Sequence, residues 1–168
     1  NMGTLQQSAG DLILVTNGNG AATVVNNAAI DFGTSNVGGA LDVTASAGTI
    51  TQNGGALTVA GTSAFTTSTN DQAITLSNTT NALTGAVAFT TGGTTGNVVI
   101  DNGTTGLDLA ASTINGTLTA TGGASAGIVD SGNVAVAGNV TLTTDAGNGV
   151  INMGTLQQSA GDLILVTN

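Results

Sequence analysis

The sequence of 168 residues has no lysine, arginine or histidine, and its nine acidic residues give a formal net charge of −9 at pH 7. Binding to nucleic acid needs basic side chains that displace counterions from the phosphates, and anionic membrane surfaces attract basic segments for the same reason. The lack of every basic residue therefore excludes both as expected partners. No apolar run approaches the roughly 18 residues of a membrane-spanning helix, so we also expect no membrane insertion.

Cysteine, proline, tryptophan and tyrosine are absent too, and aromatic residues make up only 2% of the chain. The chain has neither cysteine nor histidine to hold haem, and three phenylalanines are too few for an aromatic path for electrons. A sandwich or propeller of this size normally buries several aromatic residues, so their scarcity counts against those folds. A chain without cysteine, and without lysine or arginine for a trypsin-like protease, suits an extracellular location.

The residues that remain are mostly glycine, alanine, threonine, asparagine, serine, valine and leucine, and 40% of the chain is hydrophobic. Short apolar-x-apolar stretches, such as residues 41–43 and 57–59, recur between segments rich in glycine and asparagine. This period of two predicts β-strands with alternate side chains inside and outside, and we predict essentially no helix. The predicted strands are residues 12–15, 23–25, 29–32, 40–43, 57–59, 74–76, 86–89, 98–100, 107–109, 117–120, 134–136 and 140–142.

Residues 1–17 recur without substitution as residues 152–168, 151 positions later. Self-similarity at a fixed period is the signature of a repeat protein. We therefore interpret residues 1–151 as one tandem repeat unit and residues 152–168 as the start of the next identical repeat, with no separate globular domain. We expect the chain to be one period of a longer array, with its export signal elsewhere in the parent chain.

A second level of repetition divides the 151-residue unit into two related halves of 74–77 residues. Residues 57–61 (Leu-Thr-Val-Ala-Gly) match residues 134–138 (Val-Ala-Val-Ala-Gly) at a shift of 77, and residues 30–32 match residues 107–109 at the same shift. The return step is then 151 − 77 = 74. The halves therefore differ by small insertions, which we place in loops on the outside of a stack.

The architecture that accepts this composition is an all-β, right-handed parallel β-solenoid (β-helix). Its narrow core is filled by stacked valine, leucine, isoleucine and alanine, and its corners favour glycine, asparagine and aspartate. Stacked asparagines can add hydrogen-bonded ladders, and chirality favours a right-handed path between parallel strands. Coils of roughly 18–20 residues give about eight coils per 151-residue period, which advance about 38 Å along the axis.

Two blocks of the first half carry a family resemblance. Residues 39–52 read Gly-Ala-Leu-Asp-Val-Thr-Ala-Ser-Ala-Gly-Thr-Ile-Thr-Gln and residues 55–62 read Gly-Ala-Leu-Thr-Val-Ala-Gly-Thr, with echoes over residues 116–138. These blocks resemble the repeats of filamentous haemagglutinin-like giant secreted exoproteins and adhesins of Gram-negative bacteria. The resemblance implies a secreted right-handed β-helix at the bacterial cell surface, with a role in adhesion, aggregation or the building of a biofilm matrix.

The aspartates are the only ionisable side chains, and those in turn-like contexts are candidate calcium ligands: Asp71, Asp101, Asp130 and Asp145. Asp and Asn oxygens suit this hard cation, but the calcium-binding repeat Gly-Gly-x-Gly-x-Asp is missing, so capping of turns is the competing role. Two carboxylates that hydrolyse a glycoside must lie close together, whereas these are scattered along the chain. We therefore expect no enzyme activity and no cofactor other than calcium.

Residues 12–15, Leu-Ile-Leu-Val, are apolar on both sides of a predicted strand. If the isoleucine and the valine point inward, the two leucines face outward here and again one period later. Such an apolar stripe would join neighbouring fibres; the alternative is a strand buried on both sides by a neighbouring loop. The candidate contact residues between fibres are Leu12, Leu14, Leu163 and Leu165.

The sequence therefore predicts a structural repeat of a long extracellular filament or adhesin stalk, with a mechanical, scaffolding role in cell adhesion, aggregation or matrix building. The expected partners are further copies of the repeat in one chain and neighbouring fibres. The alternative is a carbohydrate- or ice-binding β-solenoid surface, which needs a flat and regular array of one residue type. The threonine runs, such as residues 117–121, are irregular.

Overall fold

The computed structural model describes residues 4–123, 126–145 and 147–168, so the first three residues of the repeated segment 1–17 lie outside the described residues. Within the described ranges every strand pairing is parallel and no α-helix occurs, which confirms the prediction of an all-β parallel solenoid. The strands are β1 (Thr4–Leu5), β2 (Ala22–Asn26), β3 (Ile30–Phe32), β4 (Ser35–Val37), β5 (Leu41–Ala45), β6 (Ile50–Gln52), β7 (Leu57–Val59), β8 (Ser63–Asn70), β9 (Ile74–Leu76), β10 (Ala82–Leu83), β11 (Val87–Gly92), β12 (Val98–Asp101), β13 (Leu107–Leu109), β14 (Ser112–Ile114), β15 (Leu118–Gly122), β16 (Ile128–Asp130), β17 (Val134–Val136), β18 (Val140–Thr144), β19 (Ile151–Asn152), β20 (Leu156–Gln158) and β21 (Leu163–Thr167).

The strands stack into three faces. Face 1 contains β1, β2, β5, β8, β11, β14, β17 and β20, and face 2 contains β3, β6, β9, β12, β15, β18 and β21. Face 3 begins with β4, β7 and β10. We assign β13, β16 and β19 to its continuation, because Asn102, which precedes β13, is hydrogen-bonded to Leu83 of β10. β13 meets β11 of face 1 only through the pair Val87–Leu109 at the corner.

Most coils are longer than predicted, since four of the six steps along face 2 exceed 20 residues. Ile30 of β3 pairs with Ile50 of β6, and Ile50 pairs with Ile74 of β9, so the first of these coils advances the numbering by 20 and the second by 24. The seven strands of face 2 make six such steps, so the solenoid has about six turns. The predicted coil length of roughly 18–20 residues is therefore too short, and the predicted number of about eight coils per period is too high. The strands are short, as expected, but the corners hold more residues than predicted, such as residues 77–81 between β9 and β10.

The core is one apolar column inside the three faces. In β7 and β13 the first and third residues are buried and the second is partly exposed, as the period of two predicts. The three phenylalanines pack against one another within the column and are fully buried. The rings of Phe32 and Phe65 pack edge to face at 6.3 Å, and those of Phe65 and Phe89 stack at 5.9 Å. The apolar side chains of the column are therefore aliphatic except for these three rings.

Equivalent residues of the two halves lie on different faces. Ser35 of β4 and Ser112 of β14 are separated by the half-repeat shift, and each accepts a hydrogen bond from a backbone N–H of the preceding coil, from Leu14 and Phe89 respectively, at 3.0 Å. Ser35 lies on face 3 and Ser112 on face 1. In the same way β5 of face 1 corresponds to β15 of face 2. Each half therefore advances about three and a third coils, and a 151-residue period advances roughly 32 Å.

Candidate functional site

The segment at residues 12–15 has the orientation opposite to the predicted one. Leu12 and Leu14 point into the core and are each 8% exposed, whereas Ile13 and Val15 face outward and are 61% and 73% exposed. The orientation is fixed because Leu12 pairs with Phe32 of the next coil, which is fully buried. The prediction that Leu12 and Leu14 face outward is wrong.

The second copy of this segment forms β21 and keeps the same orientation. Leu163 and Leu165 pair with Val140 and Leu142 of β18, which are fully buried, so the two leucines face the same core column. They are nevertheless 49% and 52% exposed, because no later coil among the described residues covers them. The leucines of both copies are therefore inward residues, and the outward residues of β21 are its isoleucine and its valine.

Asp71 caps a corner of the next coil. It lies after β8 in a left-handed conformation, with φ of 62°, and its Oδ1 accepts hydrogen bonds from the N–H groups of Thr94 at 2.7 Å and Thr95 at 2.8 Å. The Thr95 hydroxyl donates a third bond at 3.0 Å. The Thr94 N–H, followed by the N–H and hydroxyl of Thr95, lowers the pKa of Asp71 below its usual 3.8.

Asp130, at the end of β16, makes the same kind of cap with both carboxylate oxygens. Oδ1 accepts from the N–H of Gly154 at 2.7 Å, and Oδ2 accepts from the N–H and the hydroxyl of Thr155 at 2.6 and 2.7 Å. Burial raises the pKa of Asp130, but the hydrogen bonds from Thr155 and Gly154 together outweigh it, so the pKa lies below 3.8. Both carboxylates thus bind one coil to the next.

The other two candidate calcium ligands lie apart from these caps. Asp101 ends β12 and accepts a local bond from the N–H of Gly103 at 2.8 Å, whereas Asp145 follows β18 and is exposed. Among the described residues no three acidic side chains lie close enough together to share a metal ion. The structure thus gives Asp71, Asp101 and Asp130 roles at corners, and calcium binding stays a prediction.

Buried asparagines complete the corners. Asn102 is fully buried; its Nδ2 donates to the carbonyls of Leu83 at 3.0 Å and Gly106 at 2.8 Å, and its Oδ1 accepts from the N–H of Leu83 at 2.8 Å. Asn26 repeats these bonds with the N–H and carbonyl of Gln7 and the carbonyl of Ala29. The sequence predicts asparagines at the corners in general, but it did not single out Asn26 and Asn102. The signal that could have found them is their separation, which is close to the half-repeat shift.

One column of threonines runs across four coils of face 1. Thr44 pairs with Thr66, Thr66 with Thr90, and Thr90 with Thr113, and all four are at least partly exposed. The neighbouring outward column contains Asp42, Ala64 and Ala88. Face 1 therefore carries a single threonine column rather than the paired columns of a Thr-x-Thr array.

A family model described as repeats of unknown function (DUF5649) matches the chain twice, over residues 18–90 and 95–166. The starts of the two matches differ by the half-repeat shift that also separates Ser35 from Ser112, so tandem repetition appears in both sequence and structure. Comparisons with curated proteins and with solved structures found no match. In the described part of the chain no helix is long and apolar enough to cross a membrane.

Proposed function

This chain belongs to the family of repeats of unknown function (DUF5649), and from that premise we propose that it is a structural segment of a long extracellular filament or adhesin stalk. Its role is mechanical: it holds functional parts of the parent protein at a distance, in cell adhesion, aggregation or matrix building. We propose that it is located at a bacterial cell surface and that it has no catalytic activity. The resemblance of residues 39–62 to haemagglutinin-like exoprotein repeats supports this proposal.

The observation that carries the proposal is that both copies of the repeated segment point the same side chains into the core column. Leu12 and Leu14 point into the core column, and so do Leu163 and Leu165, which have the same sequence context. The glycine before each pair, Gly10 or Gly161, has the same left-handed φ of 85°. A following repeat of identical sequence can therefore continue the same column without a break, which is what a filament needs.

The coil-to-coil contacts suit a mechanical role. Within each face the strands pair in parallel for up to five residues in unbroken register per step, as Leu118–Gly122 do with Val140–Thr144. Asp71 and Asp130 add side-chain bonds between coils outside the strands. Tension along the axis would load many such bonds together, and a stack of coils has unpaired edges only at its two ends.

Cell-surface filaments are the test of this function. Antibodies raised against the 168-residue chain should label filaments on intact cells of the producing bacterium, and deletion of the repeats should shorten the filaments and reduce cell adhesion or aggregation. Deletion of a region of equal length outside the repeats is the control for nonspecific effects on export. Labelling confined to the cell interior would contradict the proposal.

Contact between fibres remains part of the proposal, with the contact moved to the outward side chains. Ile13 and Val15 form an exposed apolar pair, and such pairs favour association with another apolar surface. Replacing both with threonine should disperse bundles of fibres and leave the melting temperature nearly unchanged. Replacing Leu12 and Leu14 with threonine is the matched comparison: it should destabilise the first coil, because both leucines are buried.

The threonine column of face 1 favours a second candidate function, a carbohydrate- or ice-binding surface. It places one residue type at regular spacing over Thr44, Thr66, Thr90 and Thr113. Ice-growth inhibition or glycan binding that is lost when Thr66 and Thr90 are changed to valine would support this function. If the unaltered chain shows neither ice-growth inhibition nor glycan binding, this second function is excluded and only the mechanical role is left.

A further inference from the structure

Six asparagines of the chain are followed directly by glycine. In such a pair the backbone nitrogen of the glycine can attack the side-chain carbonyl carbon of the asparagine, because glycine has no Cβ to hinder the approach. The attack requires the pair to leave its resting conformation, so a pair that is held by its neighbours reacts slowly. The structure therefore ranks the six asparagines by how firmly each pair is held: Asn17, Asn19, Asn53, Asn102, Asn115 and Asn148.

Asn53 and Gly54 form the least constrained pair. They follow β6 at the corner between face 2 and face 3, and both are exposed. Among the described residues, and apart from the chain neighbours of Gly54, no heavy atom lies within 4 Å of the place where a Cβ on Gly54 would stand. The only backbone hydrogen bond of the pair among the described residues runs from the N–H of Asn53 to the carbonyl of Phe32 at 3.2 Å. The attacking nitrogen can therefore move without breaking a backbone bond of its own.

Asn102 and Gly103 form the most firmly held pair. The side chain of Asn102 is fully buried and makes its three hydrogen bonds to the backbone of Leu83 and Gly106. The N–H of Gly103, which would have to attack, donates to the carboxylate of Asp101 at 2.8 Å. All of these bonds must break before the nitrogen can reach the side-chain carbonyl, so we expect this pair to stay intact while the chain is folded.

The remaining pairs are restrained to lesser degrees. The carbonyl of Asn17 accepts a bond from the N–H of Gly20 at 3.1 Å, and that N–H is the group that would attack the asparagine before it, so one bond restrains two pairs. The side chain of Asn115 donates to the carbonyl of Thr91 at 2.7 Å. In the pair at residues 148–149 the glycine is buried. Exposure and open space thus coincide with an unrestrained attacking nitrogen at residues 53–54.

We propose that Asn53 is a site of spontaneous covalent modification, which converts its side-chain amide into a carboxylate through a cyclic imide. The nitrogen of Gly54 forms a bond to Cγ of Asn53 while the Cγ–Nδ2 bond breaks. The proton of the Gly54 N–H passes through water to the departing amide group, which leaves as ammonia. Water then opens the ring: cleavage of the new N–Cγ bond gives aspartate, and cleavage of the original peptide bond gives isoaspartate. Water is the only co-reactant.

The corner can accept either product without loss of the fold. The strands on its two sides end at Gln52 and begin at Leu57, and neither product removes the N–H of Asn53 that binds Phe32. Each conversion replaces a neutral amide with a carboxylate, so the net charge of −9 becomes more negative by one. In a tandem array the site recurs once per repeat, so an ageing array gains one negative charge per repeat. This chemistry goes beyond the mechanical function and does not depend on it.

Peptide mapping by mass spectrometry tests the proposal on the 168-residue chain. A protease that cuts before aspartate is suitable, because the chain has no lysine or arginine for trypsin, and it places Asn53 in fragment 42–70 and Asn102 in fragment 101–107. The folded chain and the chain in denaturant are incubated in parallel at neutral pH and then digested. Fragment 42–70 should show the mass gain of deamidation nearly as fast in the folded chain as in denaturant. A new cut before residue 53 identifies aspartate, and an uncut fragment with the same mass gain identifies isoaspartate.

Fragment 101–107 is the internal control. Folding should slow its conversion by about 100-fold, which is the equilibrium factor for breaking three hydrogen bonds of ordinary strength. Equal slowing of both fragments by folding would overturn the proposal, and so would equally fast conversion of both in the folded chain. An N53Q variant should show no mass gain in fragment 42–70, because glutamine would have to close a larger ring and does so slowly. A mass gain that persists in this variant would place the reaction elsewhere and overturn the assignment to Asn53.

Two matched variants test whether the modified corner keeps the fold. N53D carries the aspartate product at the exposed corner, whereas N102D places the same change at the buried one. N53D should melt at the temperature of the unaltered chain, followed by circular dichroism. N102D should melt at a lower temperature, because a carboxylate cannot donate to the carbonyls of Leu83 and Gly106. An equal decrease in both variants would overturn the claim that the corner at residues 53–54 accepts the modification.

Discussion

Replacing Asn102 with alanine tests the claim that buried asparagines hold the corners of the solenoid. The change removes three hydrogen bonds and leaves the N–H of Leu83 and the carbonyls of Leu83 and Gly106 without their partner. An unsatisfied buried polar group costs about 1–3 kcal/mol. Because water can enter part of the space vacated at the corner, we expect a total loss of about 3 kcal/mol.

Thermal and urea unfolding followed by circular dichroism measure the effect of this change. For a chain of this size a loss of about 3 kcal/mol lowers the melting temperature by roughly 6–12 °C. Hydrogen exchange supplies a local measurement, since coils of a repeat protein can open separately: the amide of Leu83 should lose protection first. Asn133→Ala, at an exposed position, is the control and should have almost no effect. An Asn102 variant as stable as that control would refute the corner argument.

Three further predictions concern acid, glycine and calcium. The pKa values of Asp71 and Asp130 lie below 3.8 in the folded chain, so their contribution to stability is present above pH 3.8 and is lost as the pH falls through the lower folded pKa values. A D71N/D130N variant should lose this part of the acid transition in a pH series of melting temperatures. An unchanged acid transition would contradict the role of the two aspartates as caps. Gly127→Ala should destabilise the chain by at least about 2 kcal/mol in urea unfolding, because φ is 70° and the new Cβ would clash with the Val150 carbonyl. Gly154→Ala is the control, because its Cβ would lie 3.8 Å from the nearest side-chain atom of another residue. Equal losses of stability in the two variants would refute the explanation by strain and clash. If calcium binds at the aspartate corners, chelation should lower the melting temperature. An unchanged melting temperature would contradict calcium binding there.

The fold could be predicted from the sequence because its signals are local and repeated. Residues 57–59 and 107–109 alternate apolar and polar side chains, and the structure buries the first and third residue of each. Glycine and asparagine between the strands marked the corners, and the repeat of residues 1–17 indicated a tandem array. Each signal depends on a few neighbouring residues, and the same requirement recurs in every coil.

The orientation of residues 12–15 could not be read from alternation, because both sides of that strand are apolar. Pairing with Phe32 of the next coil decides which side is buried. One signal could have found the answer: in the residues 41–43, 57–59 and 107–109 a leucine starts the apolar-x-apolar motif and is inward. Leu12 and Leu14 fit this motif, and the alternative with Ile13 and Val15 inward does not.

The shift of equivalent strands from one face to the next also escaped sequence reasoning. It depends on the number of residues in each coil, which varies between neighbouring coils, as the steps from Ile30 to Ile50 and from Ile50 to Ile74 show. Corner length is set by bonds over long sequence distances, such as those from Asp71 to Thr94 and Thr95. No local pattern in the sequence specifies these partners.

Helical reconstruction from electron micrographs of a tandem array tests the central claim, that consecutive repeats continue one β-solenoid. We expect an axial rise of roughly 32 Å per 151-residue period. The period should also rotate by about two thirds of a turn, because each half moves its strands to the next face. A rise above about 60 Å, or separate globules joined by linkers, would contradict the account.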